Sequence, residues 1–380
     1  MSLTPNRRTL LRLLLPAASA AAAWPAQAAP ATTTPDVVRL GAAWRTAEGD
    51  RAVDHVGVLQ VDWSAGSIRI TSDILLDSRA HGLLPEAGGG FLAIATRPGR
   101  WLMRAGPDGQ IATRHRIDSE SPLRTFGGHV LASPDGQWLY TSETDVQDGA
   151  GWISVRDAHS FERVAAWPSF GLDPHQMLLS ADGRSLFVAN GGIPRDTSGK
   201  KRDLDRMAPS LVRLDLQTGQ RTGQWHLDDP RLSIRHLAWN RHADGTPLLG
   251  IALQAEHDDP GRRRDAPVLA LWDERHGLRL ATRAPGGAGY AGDISAGPGG
   301  GYIVSGQRSG EGLLWHPDAP DDWLTVARLT EPCALAAWPS PAGVLIGAAR
   351  GIARWGTQAP AAMLPWPQAM NPDNHWVVLG

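Results

Sequence analysis

A single cysteine, Cys333, stands in a chain of 380 residues, so no disulfide can close within it. Whatever holds the fold together is packing, hydrogen bonding or a bound group. Excess charge is also missing: 37 Lys and Arg against 39 Asp and Glu leave a formal net charge of −2. That removes the electrostatic footprint of a nucleic-acid binder. Two basic runs, Gly199-Lys-Lys-Arg202 and Gly261-Arg-Arg-Arg264, are short and lie among Asp, Pro and Gly, as solvated loops do. Beyond the first 28 residues no apolar run is long enough to span a membrane. Several catalytic signatures are absent as well. Gly286–Gly289 and Gly297–Gly301 open no helix, which excludes a dinucleotide loop. No Gly-x-Ser-x-Gly elbow and no His-Glu-x-x-His pair occurs, and Asp203-Leu-Asp205 lacks the rest of a calcium loop.

What is present begins with an export pattern. Arg7-Arg8 precede Leu10-Leu11, an Ala-rich apolar stretch runs to Ala23, and Ala26-Gln27-Ala28 offers a small-x-small cleavage site. Residues 1–28 therefore read as a twin-arginine signal peptide, cleaved near Ala28, and the mature protein as periplasmic. The apolar core is short and broken by Pro16 and Pro25, unlike an anchor. Residues 29–36 read as a flexible lead-in, leaving 37–380 as one domain. Twin-arginine export carries folded proteins, which is compatible with a cofactor loaded before export.

The domain repeats one phrase: a histidine, a short apolar run, an Asp-Gly turn and a second apolar run. The clearest copies are Phe126-Gly-Gly-His129-Val-Leu-Ala-Ser-Pro-Asp-Gly136 and Leu172-Asp-Pro-His175-Gln-Met-Leu-Leu-Ser-Ala-Asp-Gly183. Looser copies surround His81 and His236, and the four histidines are 48, 46 and 61 residues apart. Repeats of this length built from short strands and turns indicate a β-propeller, an all-β fold. The 43 glycines and 29 prolines fit its many turns. Most of the 16 tryptophans, such as Trp101, Trp138, Trp152, Trp239, Trp272 and Trp355, fall in strand positions and read as filling between blade sheets.

Each phrase begins an innermost strand, and three more strands follow it. Two later phrases, opening at Tyr290 and Glu331, lack histidine, and a last one, Asn371-Pro-Asp-Asn374-His375, ends the chain. That final strand has no partners, while Val37–Arg45, Val56–Trp63 and Ile68–Leu75 lack an innermost strand. Joining them makes a composite blade that closes a ring of seven, with six and eight as alternative counts. Insertions at 191–209 and 256–266 are polar and belong on one face, where long loops often carry function.

Alternation along the innermost strands gathers residues of equal register around one end of the channel. His81, His129, His175, His236 and His375 share that register, with Asp293 and Cys333 in the two remaining blades. Imidazole, thiolate and carboxylate are transition-metal ligands, so the ring is a candidate site for iron or copper, less so zinc, or for haem. The channel of seven blades is expected to be too wide for all seven groups to reach one ion, so neighbouring blades would share it. Glu143, Asp145, Asn190 and Asn374 are candidate outer partners of the ligands. Two other readings remain open: histidines that hydrogen-bond backbone or an Asp of the next blade, and a catalytic role.

These phrases also carry a resemblance. Gly128-His129, Ser133-Pro-Asp-Gly136, Leu139-Tyr-Thr-Ser-Glu143-Thr-Asp145, Gly171-Leu-Asp-Pro-His175, Val188-Ala-Asn190-Gly-Gly-Ile193, Met207-Ala-Pro-Ser210-Leu, Ser233-Ile-Arg-His236-Leu-Ala238 and Asp373-Asn374-His375 resemble the exported bacterial family catalogued as domain of unknown function 1513. The resemblance spans nearly the whole mature chain. It departs at Val130 and Gln176, where the family pattern carries Gly and Glu. It implies a seven-bladed propeller similar to WD40 and YVTN folds. It also implies exported partners, such as imelysin-type or di-haem oxidoreductase-like proteins of iron acquisition. The expected function is a non-enzymatic metal- or haem-binding accessory protein. The alternatives are a lactonase- or hydrolase-like propeller enzyme with a metal at the channel mouth, and a ligand-free interaction scaffold.

Overall fold

The computed structural model describes residues 36–48, 51–338, 343–357 and 361–379. The expected signal peptide and, apart from Asp36, the lead-in lie outside the described residues. Among these residues twenty-eight strands form seven sheets of four. Six of these sheets take four consecutive strands each. The seventh sets the last strand, Asn371–Leu379, beside Val37–Glu48, Arg51–Asp62 and Ser67–Leu76. Leu379 pairs with Arg39 and Val377 with Gly41, antiparallel, so the chain ends close the ring. We number this composite sheet blade 1 and the others 2 to 7 in chain order. The innermost strands of blades 2 to 7 are Ala80–Pro85, Arg124–Ala132, Pro174–Leu179, Leu232–Arg241, Ile294–Ala296 and Leu335–Ala337. Each contacts the next, and the last returns to Asn371–Leu379. The fold is the seven-bladed β-propeller that the repeats imply.

The core follows from strand alternation. A blade is apolar on both faces because each face meets a neighbouring blade, so the strands read as near-continuous apolar runs; all five residues of Phe91–Ala95 are buried. Seven hydrophobic clusters result, one for each interface between blades. Trp101 and Trp272 are buried in them, Trp138, Trp239 and Trp355 are half-buried at their edges, and Trp152, also half-buried, lies under the Arg124 guanidinium instead. The closing interface is the richest in indole: Trp44, Trp63, Trp338, Trp366 and Trp376 share one cluster.

Two features of this scaffold position the site. The innermost strands begin ahead of the expected histidine in blades 3 and 5, and in blades 6 and 7, whose phrases lack histidine, they shrink to three residues. The polar insertions lie together on the histidine face: Lys201 of one donates to Glu256 of the other, and Arg195 donates to Asp173, two residues from His175. They carry a 3-10 turn, Leu204–Arg206, and a short helix, Pro260–Arg264, capped by the Asp259 side chain.

Because closure rests on the Trp-rich interface, Trp376→Ala is expected to cost about 3–5 kcal/mol, the usual range for removing a buried aromatic. Urea unfolding followed by tryptophan fluorescence measures it; a loss under 1 kcal/mol would mean that the terminal strand is not needed for closure.

Candidate metal centre at the channel

Each of the five channel histidines sits where the pairing of its strand slips. The register breaks between Ala80 and Leu83, Phe126 and Val130, Pro174 and Met177, Ile234 and Leu237, and around His375 between Pro372 and Trp376. A bulge adds a residue, bends the strand and re-aims a side chain. Here the same device is used five times, and the imidazoles turn inward together.

The rings gather closely. Centroids lie 5.0 Å apart for His81–His129, 4.5 Å for His129–His175, 4.6 Å for His175–His236, 4.3 Å for His236–His375 and 4.7 Å for His81–His375. Distance does not follow blade order: His236 and His375, from blades 5 and 1, make the tightest pair, while His129–His375 is 5.1 Å and His81–His236 6.0 Å. One nitrogen from each of His81, His129, His175 and His236 falls in a set whose members lie within 4.8 Å of one another, and His236, Asp293 and His375 form a second such set. The first set comes from four successive blades, in line with the expectation that neighbouring blades would share an ion, while the second skips blade 7. An imidazole reaches far from its Cα, and the bulges carry five of them across the channel.

Clearance for the rings comes from glycine. Gly128 has φ +102°, and a Cβ there would lie 2.9 Å from Cδ2 of His81. A Cβ on Gly82 would lie 2.5 Å from the Gly128 carbonyl oxygen. Side chains at either position would push neighbouring innermost strands apart.

Hydrogen bonds set the tautomers. Asp373 accepts from Nδ1 of His81 at 3.1 Å and also from Arg79. A carboxylate only accepts, so the ring proton is on Nδ1 and the His81 Nε2 lone pair faces the centre, where it has no hydrogen-bond partner among the described residues. Asp293 accepts the backbone N–H of Ile294 and Leu335, and an oxygen lies 3.4 Å from Nδ1 of His375. Nε2 of His236 lies 2.8 Å from Nε2 of His175 and 2.9 Å from Nε2 of His375. Nε2 of His129 and Nδ1 of both His175 and His236 have no hydrogen-bond partner among the described residues. A buried polar group left so costs about 1–3 kcal/mol. Several together take a large share of a stability of about 5–15 kcal/mol, so a self-contained hydrogen-bond network accounts poorly for this cluster.

The donor set fits a transition ion. Neutral imidazoles at such spacing need only modest movement to reach the ~3.3 Å nitrogen separation of a tetrahedral site with ~2.0–2.1 Å bonds. Burial first, then the neighbouring charges of His375 and Arg97, hold His81 down to about 3 against the pull of Asp373. His129, His175 and His236 are held well below the ordinary imidazole value, again mainly by burial. Unprotonated imidazole is the ligating form.

Other sequence candidates fall elsewhere. The Cys333 thiol lies in the cluster between blades 7 and 1, donates to the carbonyl of Gly347, and is pushed up to about 12 by burial, so it belongs to neither ligand set. Glu143 is fully buried but accepts from Arg156 and Thr141, while Arg156 also holds Glu120: it is a structural ion pair inside blade 3. Asp145 accepts the backbone N–H of Gln147 and lies 3.8 Å from Arg124. Asn190 donates to the carbonyl of Ser169 and to the hydroxyl of Ser210. Asn374 donates to the Tyr290 hydroxyl. None of these four has a hydrogen bond to a channel histidine among the described residues. Gln176, where the family pattern carries Glu, accepts the backbone N–H of Leu237 and so ties blade 4 to blade 5. The residue that sequence reasoning missed is Asp373; its signal was the Asp two positions before His375.

Four histidines with folded pKa below the unfolded ~6.5 bind fewer protons folded than unfolded. Stability of the metal-free protein is therefore full above about pH 6.5 and falls as pH drops from there toward 3, by about 1.4 kcal/mol per pH unit for each histidine. Urea midpoints at pH 7 and pH 5 check this; equal midpoints would mean that the imidazoles are solvated or charged in the fold.

Comparison with known proteins places the fold more firmly than the chemistry. No curated protein matches the chain. Among solved structures, a putative 6-phosphogluconolactonase from Bacteroides fragilis is 11% identical, covering 93% of this chain and 100% of that one, with a TM-score of 0.60. The hydrazine synthase of Kuenenia stuttgartiensis is 14% identical, covering 83% and 92%, TM-score 0.55. Virginiamycin B lyase from Staphylococcus aureus is 11% identical, covering 77% and 86%, TM-score 0.52. At such identities these likenesses speak for the propeller alone. A family model, by contrast, matches residues 74–379, and on that match, with the seven blades and the repeated histidine phrase, the chain belongs to the family described as protein of unknown function DUF1513.

Proposed function

We propose that this protein is a periplasmic, non-enzymatic propeller that binds a first-row transition ion at its channel, as an accessory of metal handling. The observation that carries the reading is the convergence of His81, His129, His175 and His236 from four successive blades, with ligand nitrogens within 4.8 Å of one another. His81 would be the best-oriented ligand, since Asp373 holds its ring; a carboxylate behind a ligating histidine fixes the tautomer and raises its basicity. His129, His175 and His236 would supply the remaining nitrogens, and His375 with Asp293 an adjoining set. Nitrogen donors without thiolate suit copper, iron or zinc, with copper the tightest divalent ion on donor chemistry. A haem fits less well, because rings 4.3–6.0 Å apart leave no slot for a macrocycle between them.

The export pattern at Arg7-Arg8 supports the periplasm and loading before export. Among the described residues no helix is long and apolar enough to cross a membrane. The partner reading, exported imelysin-type or haem oxidoreductase-like proteins, rests on the family resemblance. A calcium-type lactonase or hydrolase finds less support: Asp293 is the sole carboxylate in either ligand set, and such ions need oxygen-rich sites.

Elemental analysis of the mature protein, purified without chelators or metal resin, tests the reading. The expected result is close to one copper, iron or zinc per chain, lost in the His129→Ala, His175→Ala variant while the fold persists by circular dichroism. A wild type that stays metal-free after reconstitution would overturn it. Asp373→Asn is expected to weaken binding about 10–100-fold, as loss of an orienting carboxylate does; isothermal titration with Cu2+ reads this directly, and unchanged affinity would remove Asp373 from the site.

A further inference from the structure

Beside the histidines lies a group of cations that the metal reading does not use. Asp173, buried and held at φ +52°, accepts from Arg97 at 2.7 Å and from Arg195 at 2.9 Å, and lies 3.9 Å from Arg235. One carboxylate therefore faces three guanidiniums, which leaves two positive charges uncompensated there. Nη1 of Arg235 is buried and has no hydrogen-bond partner among the described residues. Arg235 shares a bulge with His236, and Arg97 and Arg235 are among the charges acting on His129 and His175. Burial, and then Arg235, draw Arg97 down to about 9 despite Asp173. Like charges are seldom packed so closely unless something negative joins them.

Acceptors of the protein's own are already committed nearby. Asp373 serves Arg79 and His81, and Glu256 serves Lys201 and Gln254. A divalent ion on neutral imidazoles would add two more positive charges to the same region.

We propose that Arg235, with Arg97 and Arg195, forms an anion site that seats a small carboxylate bridging the guanidiniums and the ion in the histidine centre. A carboxylate suits both sides: it accepts two parallel hydrogen bonds from an arginine fork and ligates first-row metals. It would arrive either free or as the chelating group of the metal's carrier, and both share this chemistry. The inference rests on the metal reading for its bridging part alone, since the arginines would hold the anion with or without an ion.

The test has two arms. In the first, acetate and citrate are titrated into the metal-free protein at constant ionic strength, with thermal stability as the readout. Wild type is expected to be stabilised with saturation, and Arg235→Gln to need at least about tenfold more anion; Arg235→Lys, which keeps the charge but not the fork, should lie between. In the second, the same anions are added to Cu2+-loaded protein and the copper d–d band is followed. A band shift in wild type, absent in Arg235→Gln with Cu2+ still bound, supports the bridge; a shift with citrate but not acetate points to a chelate as the source. No stabilisation of wild type, or equal stabilisation of Arg235→Gln, overturns the anion site. Stabilisation without a band shift overturns the bridge. Failure to load Cu2+ defeats the metal reading and leaves the first arm readable.

Discussion

The structure turns on holding five imidazoles close together, with those of His81, His129, His175 and His236 kept neutral, in a space that offers few hydrogen-bond partners. Desolvation disfavours their charged form, and each protonated ring would repel the next. The cluster is tolerable only as uncharged nitrogen donors, and that is the state in which a metal ion can use them. Everything around the channel serves this condition: bulges that turn the rings inward, glycines that leave room for them, and a closed ring of blades that fixes the distance across.

Closure matters because no single blade holds the site. The imidazoles come from blades 1 to 5, and His375 belongs to a strand whose sheet is otherwise built from the other end of the chain. Interface packing sets how far apart the blades stand, and the site inherits its dimensions from that packing. Asp373 shows the coupling in one residue. It lies on the closing strand, yet its carboxylate orients His81 of the next blade.

Charge is distributed with the same economy. Carboxylates near the channel are each bound to donors: Asp293 to two backbone N–H groups, Asp373 to Arg79 and His81, Asp173 to the arginines. Glu143, equally buried, is occupied by Arg156 within its own blade. Among the described residues Asp293 is the one carboxylate in a group that could hold a metal, a donor set unlike the oxygen-rich sites that calcium needs.

Much of this was determined by sequence alone. A repeated phrase of histidine, apolar run and Asp-Gly turn settles the fold, because each blade must bury both faces against copies of itself and the repeat records that demand. The unpaired strand at Asn371 and the three orphan strands after Val37 settle the closure. The five histidines were legible for the same reason, being the repeat's own constant. Tertiary structure decided the rest. Which groups meet across the ring depends on bulges and side-chain reach, and alternation along a strand carries neither. Thus Cys333 shares the histidines' register but points into an interface, Glu143 is claimed by an arginine 13 residues away in sequence, and Asp373 reaches a histidine 292 residues distant. Register is a property of one strand; a ligand set belongs to the whole closed ring.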